Sequence, residues 1–401
     1  MTNTSISFLE KYLGLFLCAV LTTWRTIIKP LNLNAKSNTA PVKVVFVKFI
    51  EQGALVLHQN TFKSAAQQYG AGNIYLCTFA SNAPLVEILN PVPAENRIFI
   101  DEKNITLFIK GFLQAIFRLR RDRIDSAIDL EFFSCASAIF CYLCGASKRA
   151  GYHRYLGSQN YRGNLFTHRL NYSHYVHVAD SGWCLLKSLQ LPVQNLPALD
   201  IELNKAGAEI RFTPDPDDLK KSDELLGSED GDTAPIIVIN PNLNDVLPLR
   251  QWPSEHYKKF IQLFGRQFPG CRFVFTGRPD ERDLTTQFIQ SINLVHAVNL
   301  CGKTKLRDIL TLYTRAQLLL TSDSGPGHFA SLTPIKTIVL FGPETPVLYG
   351  PLTKRASVVY KALPCSPCYN VYNNRQSACK DNICMQKISA EEVVATAATL
   401  L

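Results

Sequence analysis

Leu318-Leu-Leu-Thr-Ser-Asp-Ser-Gly-Pro-Gly-His-Phe-Ala330 is the stretch on which the fold turns. Its apolar start (Leu318, Leu319, Leu320) has the character of a buried strand. Asp323-Ser324-Gly325-Pro326-Gly327 then breaks it, and His328, Phe329 and Ala330 open a helix. A strand, a Gly-rich turn and a helix N-terminus together present backbone N–H groups and the positive end of a helix dipole, a natural seat for phosphate. Ser, Asp and Gly also favour such turns for purely local reasons, so the stretch needs support from the rest of the chain.

That support is an alternation of strands and helices on both sides. Upstream, the spacing predicts strands at 43–49, 73–79, 97–100 and 124–130, with helices at 60–68, 105–119 and 134–143. Nearer the motif come strands at 235–240, 272–276 and 298–300 and helices at 254–268, 281–292 and 305–314. A strand at 337–341 follows, and Ser389-Ala390-Glu391-Glu392 has the spacing of a capping box that opens a last helix. Alternation of this kind builds βαβ units around parallel sheets. The acidic, Pro- and Gly-edged stretch 214–234, with room for a short helix near 218–226, reads as a linker. The chain therefore divides into an N-terminal segment (1–40), a first α/β domain (41–213), the linker and a second α/β domain (235–401). Two doubly wound domains in series place a ligand cleft at the carboxyl ends of their strands.

With 401 residues, 46% hydrophobic and 19% charged, the chain is globular and long enough for two cores. Its net charge of +9 includes one dense cluster, Arg118-Leu119-Arg120-Arg121-Asp122-Arg123, without interleaved aromatics. That balance favours phosphorylated ligands or a membrane face and argues against nucleic acid. In the N-terminal segment, Leu9, Leu13, Phe16, Leu17, Val20, Leu21, Trp24 and Ile28 share one helical face. The uncharged run Tyr12–Trp24 covers only about 20 Å of helix, short of a bilayer core of about 30 Å. An amphipathic helix lying in a membrane interface is the expectation, ahead of a signal peptide or a helix packed on its own protein.

Further motifs carry a family resemblance. Asp323–Ala330 resembles the phosphate-binding signature of glycosyltransferase family nine, the heptosyltransferase family. Asn240-Pro241 with Arg250-Gln251-Trp252-Pro253, Thr276–Glu281, Asn299-Leu-Cys-Gly-Lys-Thr304 and Phe341-Gly342-Pro343 match further segments in the family's order. Ile128-Asp129-Leu130-Glu131 and Gly145–Tyr152 do so in the N-terminal half, so the likeness runs from about 43 to 395. The resemblance implies a GT-B fold of two Rossmann-like domains facing a cleft, and metal-independent sugar transfer with inversion. The C-terminal domain would bind a nucleotide-diphosphate sugar, ADP-heptose by analogy, and the N-terminal domain a lipid-linked or cell-envelope saccharide. Together with the apolar-stretch cysteines and the amphipathic N-terminal helix, this makes a cytoplasmic protein, peripherally associated with the inner face of the cell membrane, the expectation.

Position by position, the resemblance assigns donor binding to Asp323, Ser324, Gly325, Pro326, Gly327 and His328. Arg250 stands where the family has Lys, and its guanidinium can grip a diphosphate bidentately. Glu281 would hold the donor ribose, with Lys303 and Thr304 as lesser contacts. The first loop departs from the pattern: Lys48-Phe49-Ile50-Glu51-Gln52-Gly53-Ala54 puts Ala54 where the family carries its general-base Asp. Glu51 is the nearest replacement and Glu131, at the end of another strand, the second; Lys48 would anchor charge. A nucleotide-sugar-binding scaffold, or an epimerase or hydrolase on the same fold, are the rival functions.

The cysteines fall into two groups. Eight of the twelve lie in apolar stretches and read as reduced core thiols. The other four, Cys365, Cys368, Cys379 and Cys384, sit in the loop 364–385 at spacings that suit a structural zinc. Disulfides or free thiols fit the same spacing. His153, His168, His174 and His177 are too irregular for a metal site and read mostly as solvent-facing, and the sequons at Asn104 and Asn171 read as bare.

Overall fold

The computed structural model describes residues 9–28, 42–154, 160–193, 199, 201–203, 209–227, 234–244, 247–294, 297–371 and 376–401. The linker expected after the N-terminal helix, residues 228–233 of the acidic stretch and 372–375 of the Cys loop lie outside them. Two compact units result: Met1–Lys205 with Val371–Asn374, and Ala206–Asn370 with Arg375–Leu401.

The first unit is built on a six-stranded parallel sheet ordered β3-β2-β1-β4-β5-β6. The strands are β1 (Val44–Val47), β2 (Ile74–Phe79), β3 (Arg97–Ile100), β4 (Ser126–Asp129), β5 (Lys148–Tyr152) and β6 (His168–Leu170). Val44 to Val47 are all buried, as a strand covered on both faces requires. Helices α1 (Leu15–Ile28, entered through a wider turn from Leu9), α2 (Gln52–Leu57), α3 (Gln59–Tyr69), α4 (Ala83–Leu89), α5 (Ile105–Arg121), α6 (Cys135–Leu143) and α7 (Val178–Ser188) surround the sheet. The Asn104 side chain caps α5, accepting from Leu107 N–H at 2.9 Å.

The described residues between β5 and β6 contain no helix, and α1 covers that side of the sheet instead. Cys18 is fully buried among Phe140, Cys141, Leu165 and Phe166, with Leu15 and Leu21 packed against them. Thr22 Oγ1 accepts from Asn164 N–H at 3.2 Å, and Arg25 donates to Phe166 O at 3.3 Å. The helix thus packs on its own protein through its small and polar side, Gly14, Cys18 and Thr22, while Leu13, Phe16, Leu17, Val20 and Trp24 point outward. Of the apolar face expected from periodicity, Leu21 is drawn into the contact.

The second unit repeats the plan with the order β12-β11-β10-β7-β8-β9. Its strands are β7 (Ile236–Asn240), β8 (Arg272–Phe275), β9 (Ala297–Asn299), β10 (Leu318–Ser322), β11 (Lys336–Phe341) and β12 (Ala356–Tyr360), all parallel. Counted within its own unit, each sheet runs 3-2-1-4-5-6, the doubly wound Rossmann order. The helices are α8 (Pro216–Leu226), α9 (Ser254–Gln267), α10 (Arg282–Ser291), α11 (Leu306–Arg315), α12 (Gly325–Ala330), α13 (Pro346–Tyr349), α14 (Ile383–Gln386) and α15 (Ala390–Leu400). In α9, Tyr257, Phe260, Ile261 and Phe264 fall on one face and are buried.

The acidic stretch expected as a linker contains α8, with Asp215 and Asp218 forming its capping box and Gly227 closing it in the left-handed region. Arg307 of α11 bonds Asp215 and Asp218 at 2.9 and 2.6 Å, which ties α8 to the second unit. The sequence histidines expected to face solvent also differ: His168 is buried within β6, His177 is half-buried and caps α7, and His153 and His174 are half-buried.

Candidate functional site

In both units the chemistry-bearing residues stand where the strand order reverses, at the carboxyl ends of β1 and β4 and of β7 and β10. That is where open parallel sheets bind ligands. In the first unit the loop leaving β1 is pinned by Phe49, whose ring stacks on Phe79 at 5.1 Å and meets Phe140 edge-on at 5.6 Å. Glu131, just past β4, accepts through Oε1 from the N–H groups of Phe49 and Ile50 at 2.7 and 2.8 Å. Its Oε2 accepts from the Lys48 ammonium at 3.0 Å, and the same ammonium reaches Glu51 Oε2 at 3.1 Å.

The three charges differ in access. The Lys48 side chain is fully buried and Glu131 nearly so, whereas Glu51 is 29% exposed. Lys48, expected to anchor substrate charge, instead links two carboxylates beneath the loop, and Glu131 clamps that loop to β4. Glu51 precedes α2 with a φ of 69°, in the left-handed region that a side chain enters only when its surroundings hold it there. Ala54 is buried one turn into α2.

A second layer lies behind this loop. Asp129 Oδ1 accepts from the Glu131 N–H at 3.0 Å, and its Oδ2 accepts from both the Ser137 hydroxyl at 2.9 Å and the Arg162 guanidinium. Burial pushes the Asp129 carboxyl up to about 6 against the pull of Arg162. His58, at the end of α2, is pushed down to about 3 by burial and then by Lys48. Arg162 and His58 gave no signal in the sequence: each is one polar residue in a polar or mixed stretch, and only the fold brings it under the loop.

In the second unit, β7 leads into Asn242, itself left-handed with φ 50°. Its amide donates to the hydroxyls of Ser322 and Ser324 at 2.8 and 3.2 Å, while its own carbonyl accepts from Gln251 at 2.8 Å. Arg250 stands 3.9 Å from Asp323. The neighbouring Trp252 is buried and donates to Ile388 O at 2.9 Å, so the Arg250 segment is anchored. Ser324 is extended and caps α12, which starts at Gly325 rather than His328; Pro326 suits its first turn. The Gly327 N–H, expected to face a ligand, donates to Ser324 O at 3.2 Å. His328 is half-buried within α12.

Glu281 is buried, and its Oε2 accepts from Arg278 N–H at 2.7 Å. Asn244 N–H lies 3.4 Å from its Oε1, so the segment 242–244 joins the Glu281 turn to the Ser324 turn. Beside it, Gly302 has φ 67° and donates to Gly277 O at 2.9 Å. Lys303 is exposed and Thr304 half-buried immediately after it.

The zinc reading of the Cys loop is not supported. Among the described residues no group of three or more His, Cys, Asp or Glu is placed to hold a metal ion. Cys384 turns into the core behind Gly342, whereas Cys365 and Cys379 are exposed and the Cys379 thiol lies 3.0 Å from Asp381 O. All twelve cysteines are free thiols, and seven of the other eight are buried.

The chain is similar to several known proteins. Lipooligosaccharide heptosyltransferase 2 of Haemophilus influenzae is 26% identical over 245 residues, covering 60% of this chain and 66% of that protein. Its Campylobacter jejuni counterpart is 26% identical over 157 residues, 38% of this chain and 47% of the relative. The matches therefore span about half to two thirds of the relatives' length. Among solved structures, a family 9 glycosyl transferase from Veillonella parvula superposes with a TM-score of 0.69 at 20% identity, covering 91% of this chain and 99% of that one. The Escherichia coli ADP-heptose LPS heptosyltransferase II gives 0.64 at 17%, covering 89% and 98%. Both share the fold, two doubly wound units in series. The profile of glycosyltransferase family 9 (heptosyltransferase) matches residues 113–378, and the chain belongs to that family.

Proposed function

We propose that this protein is an inverting glycosyltransferase that moves a heptose-like sugar from a nucleotide-diphosphate donor to a cell-envelope saccharide. The observation that carries the reading is the Glu51 carboxylate, the most exposed of the three charges that meet at the first loop, held by Lys48 at the carboxyl end of β1. The relatives' names favour ADP-heptose as donor and a lipopolysaccharide or lipooligosaccharide core as acceptor.

In the proposed step Glu51 accepts the proton of the acceptor hydroxyl. The oxygen attacks the anomeric carbon from the side opposite the diphosphate, the bond to the diphosphate breaks, and the nucleoside diphosphate leaves with the electron pair. Arg250, Ser324, Gly325 and His328 meet the leaving charge, Glu281 the ribose, and Asp323, Pro326 and Gly327 shape the turn; Lys303 and Thr304 extend the donor contacts. Lys48 and Glu131 act as positioning residues for Glu51. The proposed step needs no metal. Helix α1, with its apolar side outward, holds the protein peripherally at the cytoplasmic membrane face where a lipid-linked acceptor is presented.

Because Ala54 replaces the family's Asp, a donor-binding scaffold without turnover is the reading to set against this one. Purified protein given ADP-, UDP- and GDP-sugars with and without a lipid-linked glycan fraction separates the two. Acceptor-dependent release of one nucleoside diphosphate, lost in Glu51→Gln, is the expected result. Donor binding with no release under any condition would leave the scaffold.

A further inference from the structure

The membrane reading above rests on α1 alone, yet the first unit carries a second outward apolar stripe. In α5, Ile105, Ile109, Leu113 and Phe117 recur every fourth residue and are exposed, Phe117 by 69%. The buried side of α5, Ala115, Ile116 and Leu119, borders this stripe and lies in the same buried cluster that holds Cys18 of α1. Both helices pack against α6. Arg118 of α5 bonds the carbonyls of Glu95 and Arg97 at the β3 end of the sheet, whereas α1 sits over the residues that lead into β6. The two helices therefore flank α6 on one face of the sheet, each with apolar side chains directed away from the core.

Scattered exposed apolar residues are ordinary on a soluble protein, but two regular stripes on one layer are not. Charge names the occupant. α5 carries Lys110, Arg118, Arg120 and Arg121 and no carboxylate in seventeen residues. α1 carries Arg25 and no acidic residue in its first turn, and its fourteen residues contain none at all. Apolar stripes with cations and without anions complement the anionic surface of a phospholipid bilayer. They complement a mixed-charge protein surface less well. Depth fits as well: Phe16 and Trp24 are 64% and 59% exposed while Cys18, on the opposite side of the same helix, is fully buried in protein. A helix sealed to its own domain on one side lies in the interface and does not cross it. Trp24 beside Arg25 has the pairing found at headgroup level.

We propose that α1 and α5 together form a two-helix docking face for an anionic phospholipid bilayer, which fixes the orientation of the first unit on the membrane as well as its attachment. The inference rests on the membrane reading above and extends it to α5.

The test is sedimentation of the full chain with phosphatidylcholine vesicles prepared with and without phosphatidylglycerol. Two double variants are compared with wild type, Leu113→Glu/Phe117→Glu on α5 and Phe16→Glu/Val20→Glu on α1, with circular dichroism to confirm folding. All four side chains are outward, and the charge reversal Arg120→Glu/Arg121→Glu serves as a second α5 variant that leaves the apolar stripe intact. Wild type is expected to bind phosphatidylglycerol vesicles and to be released by salt. Each variant pair should lower partitioning by about tenfold or more. If the α5 variants bind like wild type while the α1 pair does not, the two-helix face is wrong and attachment by α1 stands. If wild type ignores the vesicles, or self-associates through this face in their absence and presence alike, both fall.

Discussion

Glu131 accepts the backbone N–H of Phe49 at 2.7 Å across the sheet's switch point, from a position 82 residues later in the chain. A second N–H and the Lys48 ammonium complete its shell, so the carboxylate is the internal scaffold of the loop. Removing it takes one of two carboxylates from a buried lysine that also reaches Glu51. Glu131→Ala should cost about 3–5 kcal/mol of unfolding free energy, the range for breaking one side of a buried pair. Glu131→Gln keeps an acceptor for the backbone and should cost less. Urea unfolding of both variants checks the order.

Glu51 separates strain from chemistry. Its left-handed backbone costs a residue with a side chain about 1–2 kcal/mol relative to glycine. Glu51→Gly should therefore leave stability unchanged or slightly raised while transfer falls by about 10²–10⁴, the usual worth of a general base. Thermal unfolding measured beside turnover tests this. Lost stability with retained turnover would assign Glu51 a structural role only.

Acid should loosen the first unit through His58. Its native value near 3 lies below the ordinary histidine value of 6.5, so the unfolded chain binds the proton first. The contribution is complete above pH 6.5 and is lost as pH falls toward 3, at about 1.4 kcal/mol per pH unit for one proton. His153 and His168, both lowered to about 4 by burial, act in the same direction. Asp129, raised to about 6, opposes them as pH falls below that value. The readout is therefore a difference: His58→Gln should flatten the pH dependence of stability by one proton relative to wild type.

Gly302 packs tightly on the Pro279 turn, which carries Glu281. A Cβ there would sit 2.5 Å from the Pro279 Cα, a backbone atom that cannot swing aside, and the residue's φ is 67°. Gly302→Ala should cost at least about 1–2 kcal/mol from the backbone alone. By displacing the Pro279–Glu281 turn it should also weaken donor binding, which calorimetric titration with a nucleotide sugar measures.

Much of this architecture can be read from local chemistry, because β-branched runs such as Val44–Val47 and periodic helices such as Ser254–Gln267 fold as their patterns require. β5, Lys-Arg-Ala-Gly-Tyr, and the three-residue β6 lack that chemistry; their neighbours in the sheet make them strands. The site follows the same division. Arg250, Asp323 and Ser324 are legible because a turn, an anchor and a helix start announce them. The Lys48–Glu131 contact joins residues 83 apart, and nothing local encodes it. Likewise the cysteine spacing specified distances along the chain and left the direction of each thiol to the packing around Gly342.

The seat of α1 has a temporal side. Thr22 finds its partner in Asn164, 142 residues later, so the helix leaves the ribosome long before its socket exists. At roughly 5–20 residues per second, synthesis of the intervening chain lasts on the order of ten seconds. Through that interval the side of the helix that carries Cys18 lacks the surface on which it later packs.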